Sequence, residues 1–246
     1  LGVSSGASTG AASVILFGVG TGAGLGAGTL PAAAFIGALL ATAGLFLVSR
    51  TGGTATSMRL LLSGVTVGYL LYAATSFLIF ASGDPEGSRA VQFWLLGSLA
   101  LSGWLLVSIA AVAVVVTLVA LLLWSRQLDA LSIGDDTALT LGVAPTRFRV
   151  RVLIAVALCV GAVVAVSGSI GFVGLVVPHV ARRFVGGTHR LALPVAAMVG
   201  AIFLVWADVA ARMVLRPQEL PIGIVTAVCG APFLLVLIRR FHQPGA

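Results

Sequence analysis

Two groups of ionisable side chains stand out in an otherwise oily chain. One lies between Ser125 and Arg151, where SRQLDALSIGDDTALTLGVAPTRFRVR sets Asp129, Asp135 and Asp136 among Arg126, Arg147, Arg149 and Arg151. The other is Asp208 with Arg212, four residues apart and so neighbours on one helix face, with Arg216 and Glu219 just beyond. The chemistry on offer is charge pairing and docking rather than bond making. No nucleophile–base pair and no cluster of metal ligands accompanies these groups. Cys159 and Cys229 sit far apart in apolar stretches, which suggests neither a disulfide framework nor a metal site. The chain has no lysine, so the Gly-Lys-Ser/Thr step of a phosphate-binding loop is missing. If ATP powers this protein, another subunit must hydrolyse it.

The elements that position these groups are membrane spans. At 59% hydrophobic and 9% charged residues, with a mean hydropathy of +1.17, the composition is that of a multi-span membrane protein. Eight apolar stretches can be drawn, roughly 2–21, 31–49, 59–81, 104–124, 150–167, 171–185, 192–213 and 220–238. The sixth is short and contains Pro178, so a broken or partial crossing is expected there. The net charge of +7 comes entirely from arginines placed between spans, a pattern of membrane orientation rather than nucleic-acid binding. With the opening stretch inside, arginines 50, 59, 126, 147, 149, 151, 182, 183, 190, 239 and 240 share one side, against 89, 212 and 216 on the other. The positive-inside rule then places Leu1, the long polar loop and the C-terminus in the cytoplasm of a multi-pass inner-membrane protein.

Within the polar loop, Gly134 to Gly142 reads as a two-turn helix, with an acid capping its first turn and Gly142 in the left-handed stop position. So short a helix needs outside support. Leu128, Leu131, Ile133, Leu139, Leu141 and Val143 could lie in a partner's groove; a solvated connector fits the local pattern equally well. Elsewhere, Gly2, Gly6, Gly10, Gly18 and Gly22 form a stripe at four-residue spacing that suits close helix packing. Ser82 to Gly87 reads as a turn, followed by a short helix over 89–98 with Phe93 and Trp94 at headgroup level. Glu219 before Pro221 marks a helix start. His179 reads as packing or hydrogen bonding near a helix break, and His189 and His242 as surface residues.

From Trp94-Leu95-Leu96-Gly97-Ser98-Leu99 onward the motifs become specific. Leu131-Ser132-Ile133-Gly134-Asp135-Asp136-Thr137-Ala138 with Leu141-Gly142-Val143, then Gly168-Ser169-Ile170-Gly171-Phe172 through Pro178-His179, resemble the FecCD-type permeases of ABC importers for iron-siderophores, haem and vitamin B12. Ala207-Asp208 with Ala211-Arg212, Glu219-Leu220-Pro221-Ile222-Gly223 through Thr226, Gly230-Ala231-Pro232, and Ser4-Ser5-Gly6-Ala7 extend the likeness over essentially the whole chain. It implies an all-α polytopic bundle of the BtuC-like permease fold. Ten spans are usual there, so two are expected to precede Leu1, and residues 1–246 read as one permease domain with the loop 125–151 inside it. The acidic pair Asp135-Asp136 departs from relatives, which often carry Glu and a variable residue.

The resemblance also assigns roles. Leu131, Ser132, Gly134, Asp135, Asp136, Thr137, Ala138, Leu141 and Gly142 would form the coupling segment that docks on the ATPase. Ser63, Thr66, Tyr69, Tyr72 and Thr226 would line a path at the interface with a second permease copy, although each hydroxyl could instead bond the preceding helical turn. Thr56, Ser57 and Met58 would narrow the pore on the cytoplasmic side. Arg212, with Arg216 as a second candidate, would meet a substrate-binding protein outside, an internal Asp208–Arg212 pair being the competing reading. The implied partners are a second permease copy or paralogue, two ATPase subunits, a periplasmic or lipid-anchored binding protein, and membrane lipids. No cofactor or metal is expected on this chain, and no enzymatic activity. The expected cargo is a ferric siderophore, with haem or cobalamin as alternatives. An ion-gradient-driven secondary transporter is the alternative of another class, but Asp208 is the only carboxylate inside a span.

Overall fold

The computed structural model describes residues 2–18, 28–50, 57–99, 103–215 and 217–241, and in these every regular element is helical. In chain order the helices are α1 (Val3–Phe17), α2 (Thr29–Arg50), α3 (Ser57–Ser82), α4 (Pro85–Leu96), α5 (Trp104–Leu123) and α6 (Ser125–Ile133). They are followed by α7 (Asp135–Thr140), α8 (Pro145–Ser167), α9 (Val173–Val185), α10 (His189–Met213) and α11 (Ile222–Phe241). With no water in the hydrocarbon layer to satisfy backbone groups, an apolar chain closes its hydrogen bonds within helices.

Of the eight expected spans, five are helices long and apolar enough to cross a membrane: Thr29–Ser49, Met58–Ser82, Trp104–Leu123, Pro145–Ser167 and His189–Met213. Two of the other three are shorter, α1 with 15 residues and α9 with 13 around Pro178, while α11 runs for 20 residues. Helix α4 begins earlier than expected. Asp84 accepts hydrogen bonds from Glu86 N–H and Gly87 N–H at 3.0 Å, with Pro85 at the first helical position, so part of the expected turn is a capped helix start.

The core lies among α1, α2 and α8 and is built of small residues. Ala7 and Ala11 of α1, Ala34 and Ala38 of α2, and Ala157, Val164 and Ala165 of α8 form one buried cluster. Where lipid tails are as apolar as the helices, association depends on close van der Waals approach, which small residues permit. Gly6 and Gly10 of the expected stripe serve this purpose, whereas Gly18 ends α1 with φ 60° and Gly22 lies outside the described residues. A Cβ at Gly6 or Gly10 would collide with the α2 backbone at Gly37 or Ala33, and one at Gly37 would collide with Gly6. A polar tie joins α1 to α3, where the Thr9 and Thr75 hydroxyls stand 2.9 Å apart. Such an interhelical bond contributes roughly 0.6 kcal/mol in a membrane.

The helix directions gather two ends. At one lie the C-terminus of α5, helices α6 and α7, and the N-termini of α8 and α10. At the other meet the end of α4, the end of α8 and the start of α11, with Ser98 N–H donating to Ser167 O at 2.9 Å and Ile222 N–H to Gly97 O at 3.2 Å.

Candidate functional site: the loop between α5 and α8

The polar loop is two short helices meeting at Gly134. That residue has φ 150° and ψ 163°, a region open essentially to glycine alone, so α6 stops and α7 starts in a new direction at one position. Gly142 takes the left-handed conformation as expected, with φ 78°. Val143 N–H donates to Ala138 O at 2.9 Å and Gly142 N–H to Leu139 O at 3.0 Å, closing α7. The expected acidic cap is absent: no side chain caps α7. The carboxylate of Asp135 is instead held by the Arg149 guanidinium, whose Nη1 and Nη2 donate to its two oxygens at 3.0 and 2.5 Å. A planar fork matches a carboxylate better than one backbone N–H does.

Sequence reasoning missed α6 as a helix. An uninterrupted run without Gly or Pro from Ser125 to Ile133 was the available signal. Asp129, on α6, reaches across to α10. Its Oδ1 accepts from His189 backbone N–H at 2.9 Å and from the His189 Nδ1–H at 2.5 Å. His189 is therefore not the surface residue expected, since its side chain keeps only 18% of its exposure. The Trp124 and Phe148 rings meet edge to face, 6.1 Å apart at 77°, closing the root of the loop between α5 and α8.

These contacts leave one apolar ridge outside. Ile133 is 72% exposed and Leu141 64%, with Leu139 exposed beside them, while Ala138 is completely buried and pins α7 down. Ser132, Asp136 and Gly142 are exposed, and Leu131, Gly134 and Thr137 half-buried. The loop thus offers a held, greasy edge rimmed by carboxylates and arginines.

Burial works to raise the Asp129 carboxyl, but its two bonds to His189 and the charge of the ring outweigh this and hold it below its ordinary 3.8. The hydrogen bond from Arg149, helped by its charge, lowers Asp135. Each folded value lies below the free one, and because Arg149 stays charged the support of the Asp135–Arg149 pair is present above the ordinary aspartate range of about pH 4. It fades as pH falls through the lowered value. A carbon-detected titration should find Asp135 below the ordinary aspartate range, and Arg149→Ala should return it to that range.

The other assigned residues are scattered over the structure. Tyr69 and Tyr72, 72% and 65% exposed, line a groove of about 400 Å³ between α1 and α3 together with Ser5, Gly64 and Gly68. Thr66 is exposed, but its hydroxyl donates to Leu62 O at 2.9 Å. Ser63 is buried, and Thr226 is fully so with its hydroxyl bonded to Gly223 O at 3.1 Å. These two face the inside of the protomer rather than a surface a second copy could share. Met58 is exposed in the first turn of α3; Thr56, the Ser57 side chain and Arg216 lie outside the described residues. Arg212 Nε donates to Asp208 at 2.8 Å, the internal pair weighed against docking. His179, exposed, has its Nδ1 2.8 Å from Leu175 O. No group of three or more metal-ligating residues occurs among the described residues.

At the opposite end, three sequence motifs converge on one knot. Gly97 has φ 75° and Gly168 φ 69°, and a Cβ at Gly168 would strike the Trp94 carbonyl. A Cβ at Gly223 would strike the Leu96 carbonyl. The likeness between Trp94–Ser98, Ser167–Gly171 and Glu219–Gly223 and a known family is thus a likeness of mutually fitted backbone. The sequence matches the FecCD transport family over residues 1–240. The chain belongs to the FecCD transport family. It is 44% identical over 248 residues to the cobalamin import system permease protein BtuC of Halobacterium salinarum, covering 97% of this chain and 62% of that one. With an uncharacterised ABC transporter permease protein, YvrB of Bacillus subtilis, it shares 40% identity over 247 residues, 100% of this chain and 69% of that one. It superposes with a TM-score of 0.88 and 33% identity on a solved structure described as a metal-chelate type ABC transporter in an inward-facing conformation, over 97% of this chain and 74% of that one. This FecCD-family chain therefore spans roughly two thirds of the length of these curated relatives.

Proposed function

We propose that the chain is the transmembrane permease subunit of an ATP-binding-cassette importer, carrying an iron-siderophore complex across the cytoplasmic membrane with power from a separate ATPase. The observation that carries this reading is the exposed ridge of Ile133, Leu139 and Leu141, on a loop where Arg149 holds Asp135 of α7, in a chain of the FecCD family. An apolar ridge on a braced support is a surface for a groove in another protein. The loop end also carries Arg126, Arg147, Arg149, Arg151, Arg182, Arg183 and Arg190, so it faces the cytoplasm. The exposed α3 face with Tyr69 and Tyr72 meets a second permease copy and borders the path. At the outer end Arg212 exchanges Asp208 for a carboxylate of the binding protein, a swap made easier by the partial exposure of both groups.

Cargo is inferred from chemistry shared by similar proteins, named for Fe(3+) dicitrate, hemin and cobalamin: a bulky chelated metal. Proteoliposomes holding the full-length permease and its ATPase, loaded with ATP and given binding protein charged with a ferric siderophore, should accumulate iron. Uptake driven by an ion gradient without nucleotide would overturn the reading, and uptake of haem or cobalamin alone would reassign the cargo.

A further inference from the structure

Helix α10 begins without a side-chain cap of its own. Thr188 places no side chain on its first turn, and Pro194 removes a backbone N–H from the second. Along the helix only Ala192, Gly200, Ala207 and Ala211 are buried within the chain. Besides the packing of the buried Ala192, this end is tied by the Asp129 carboxylate of α6, which accepts from the first N–H of α10 and from the ring of the same residue. A negative group at the positive end of a helix is also favourable in itself. The other end of α10 carries the Asp208–Arg212 pair and is tied to the segment before α11, where Leu220 N–H donates to Ala211 O at 3.1 Å. Its 25 residues make a rod of about 37 Å, so one helix joins the loop to the opposite end of the molecule.

We propose that Asp129 and His189 are positioning residues that fasten α10 to the coupling loop, so that displacement of the loop is delivered along α10 to the Asp208–Arg212 end and sets the response to the binding protein. This rests on the importer reading above. It makes α10, beside the α5 and α8 that flank the loop, an element the loop moves, so signals between the two faces depend on a contact outside the ATPase-docking ridge.

The test uses the full transporter in proteoliposomes, with ATPase and binding protein, on a Cys159→Ser, Cys229→Ser background. Asp129→Ala and His189→Ala should bind the ATPase and keep basal ATP turnover, while stimulation by the binding protein falls fivefold or more. A double Asp129→Cys, His189→Cys variant should lack stimulation when reduced and regain it when oxidised. Unchanged stimulation in both alanine variants overturns the proposal. If either alanine variant fails to assemble, equal stimulation of the oxidised and reduced cysteine pair overturns it instead. A parent complex whose uptake ignores ATP would condemn the importer reading rather than this one.

Discussion

Leu141→Asp is expected to leave the membrane bundle folded and to lower uptake by at least tenfold. Leu141 is exposed and touches no core cluster, so the substitution costs the isolated chain little. The loss arises only when the ridge enters a partner's groove, where an unpaired carboxylate pays a desolvation penalty of a few kcal/mol or more. Each ~1.4 kcal/mol is a factor of ten in the docked population. Ile133→Asp should act alike, and Leu141→Met, which keeps an apolar side chain of similar volume, should be tolerated. Uptake and ATP turnover measured on the same proteoliposomes check this. Normal uptake by Leu141→Asp with the ATPase bound would show that the ridge does not dock.

Gly168→Ala should damage folding rather than coupling. Its φ of 69° and ψ of −171° lie where non-glycine residues are strained, and the added methyl group would strike the Trp94 carbonyl and lie within 2.9 Å of the Gly97 Cα. Strain and steric overlap at one site together cost roughly 3 kcal/mol or more. Gly171→Ala is the internal control, because a methyl group there meets nothing within 4 Å. Thermal unfolding in detergent, followed by size-exclusion chromatography, should show a large loss for Gly168→Ala and almost none for Gly171→Ala. Equal losses would mean that the knot of α4, α8 and α11 is not what makes the fold cohere.

Much of this was legible in the sequence. Apolar runs bounded by arginines and turn residues locate the five long helices, because in lipid burial of the backbone and burial of side chains favour the same segments. The stop at Gly142 and the packing role of the Gly6–Gly10 stripe could be read for the same local reason. What the sequence concealed was partner choice among charged groups. Asp135 could cap its own helix or reach Arg149, fourteen residues away, and only the fold brings the guanidinium near. Asp129 and His189 are sixty residues apart and carry no shared motif. Thr226 shows the converse difficulty: a hydroxyl in an apolar span has no sequence signature that separates an open wall from a helix interior.

The contact between α1 and α2 sets a limit on how this molecule can rearrange. At Gly6, Gly10 and Gly37 the two main chains come within reach of each other, with only the Ala41 methyl group beside Gly6. Interlocked side chains can hop between rotamers and let helices slide, but bare backbone against backbone has no such lubricant. The pair is accordingly closely keyed, and shear within the bundle falls more easily on interfaces padded by side chains, such as that of α9 with α10, where the Val177 side chain lies against Gly200.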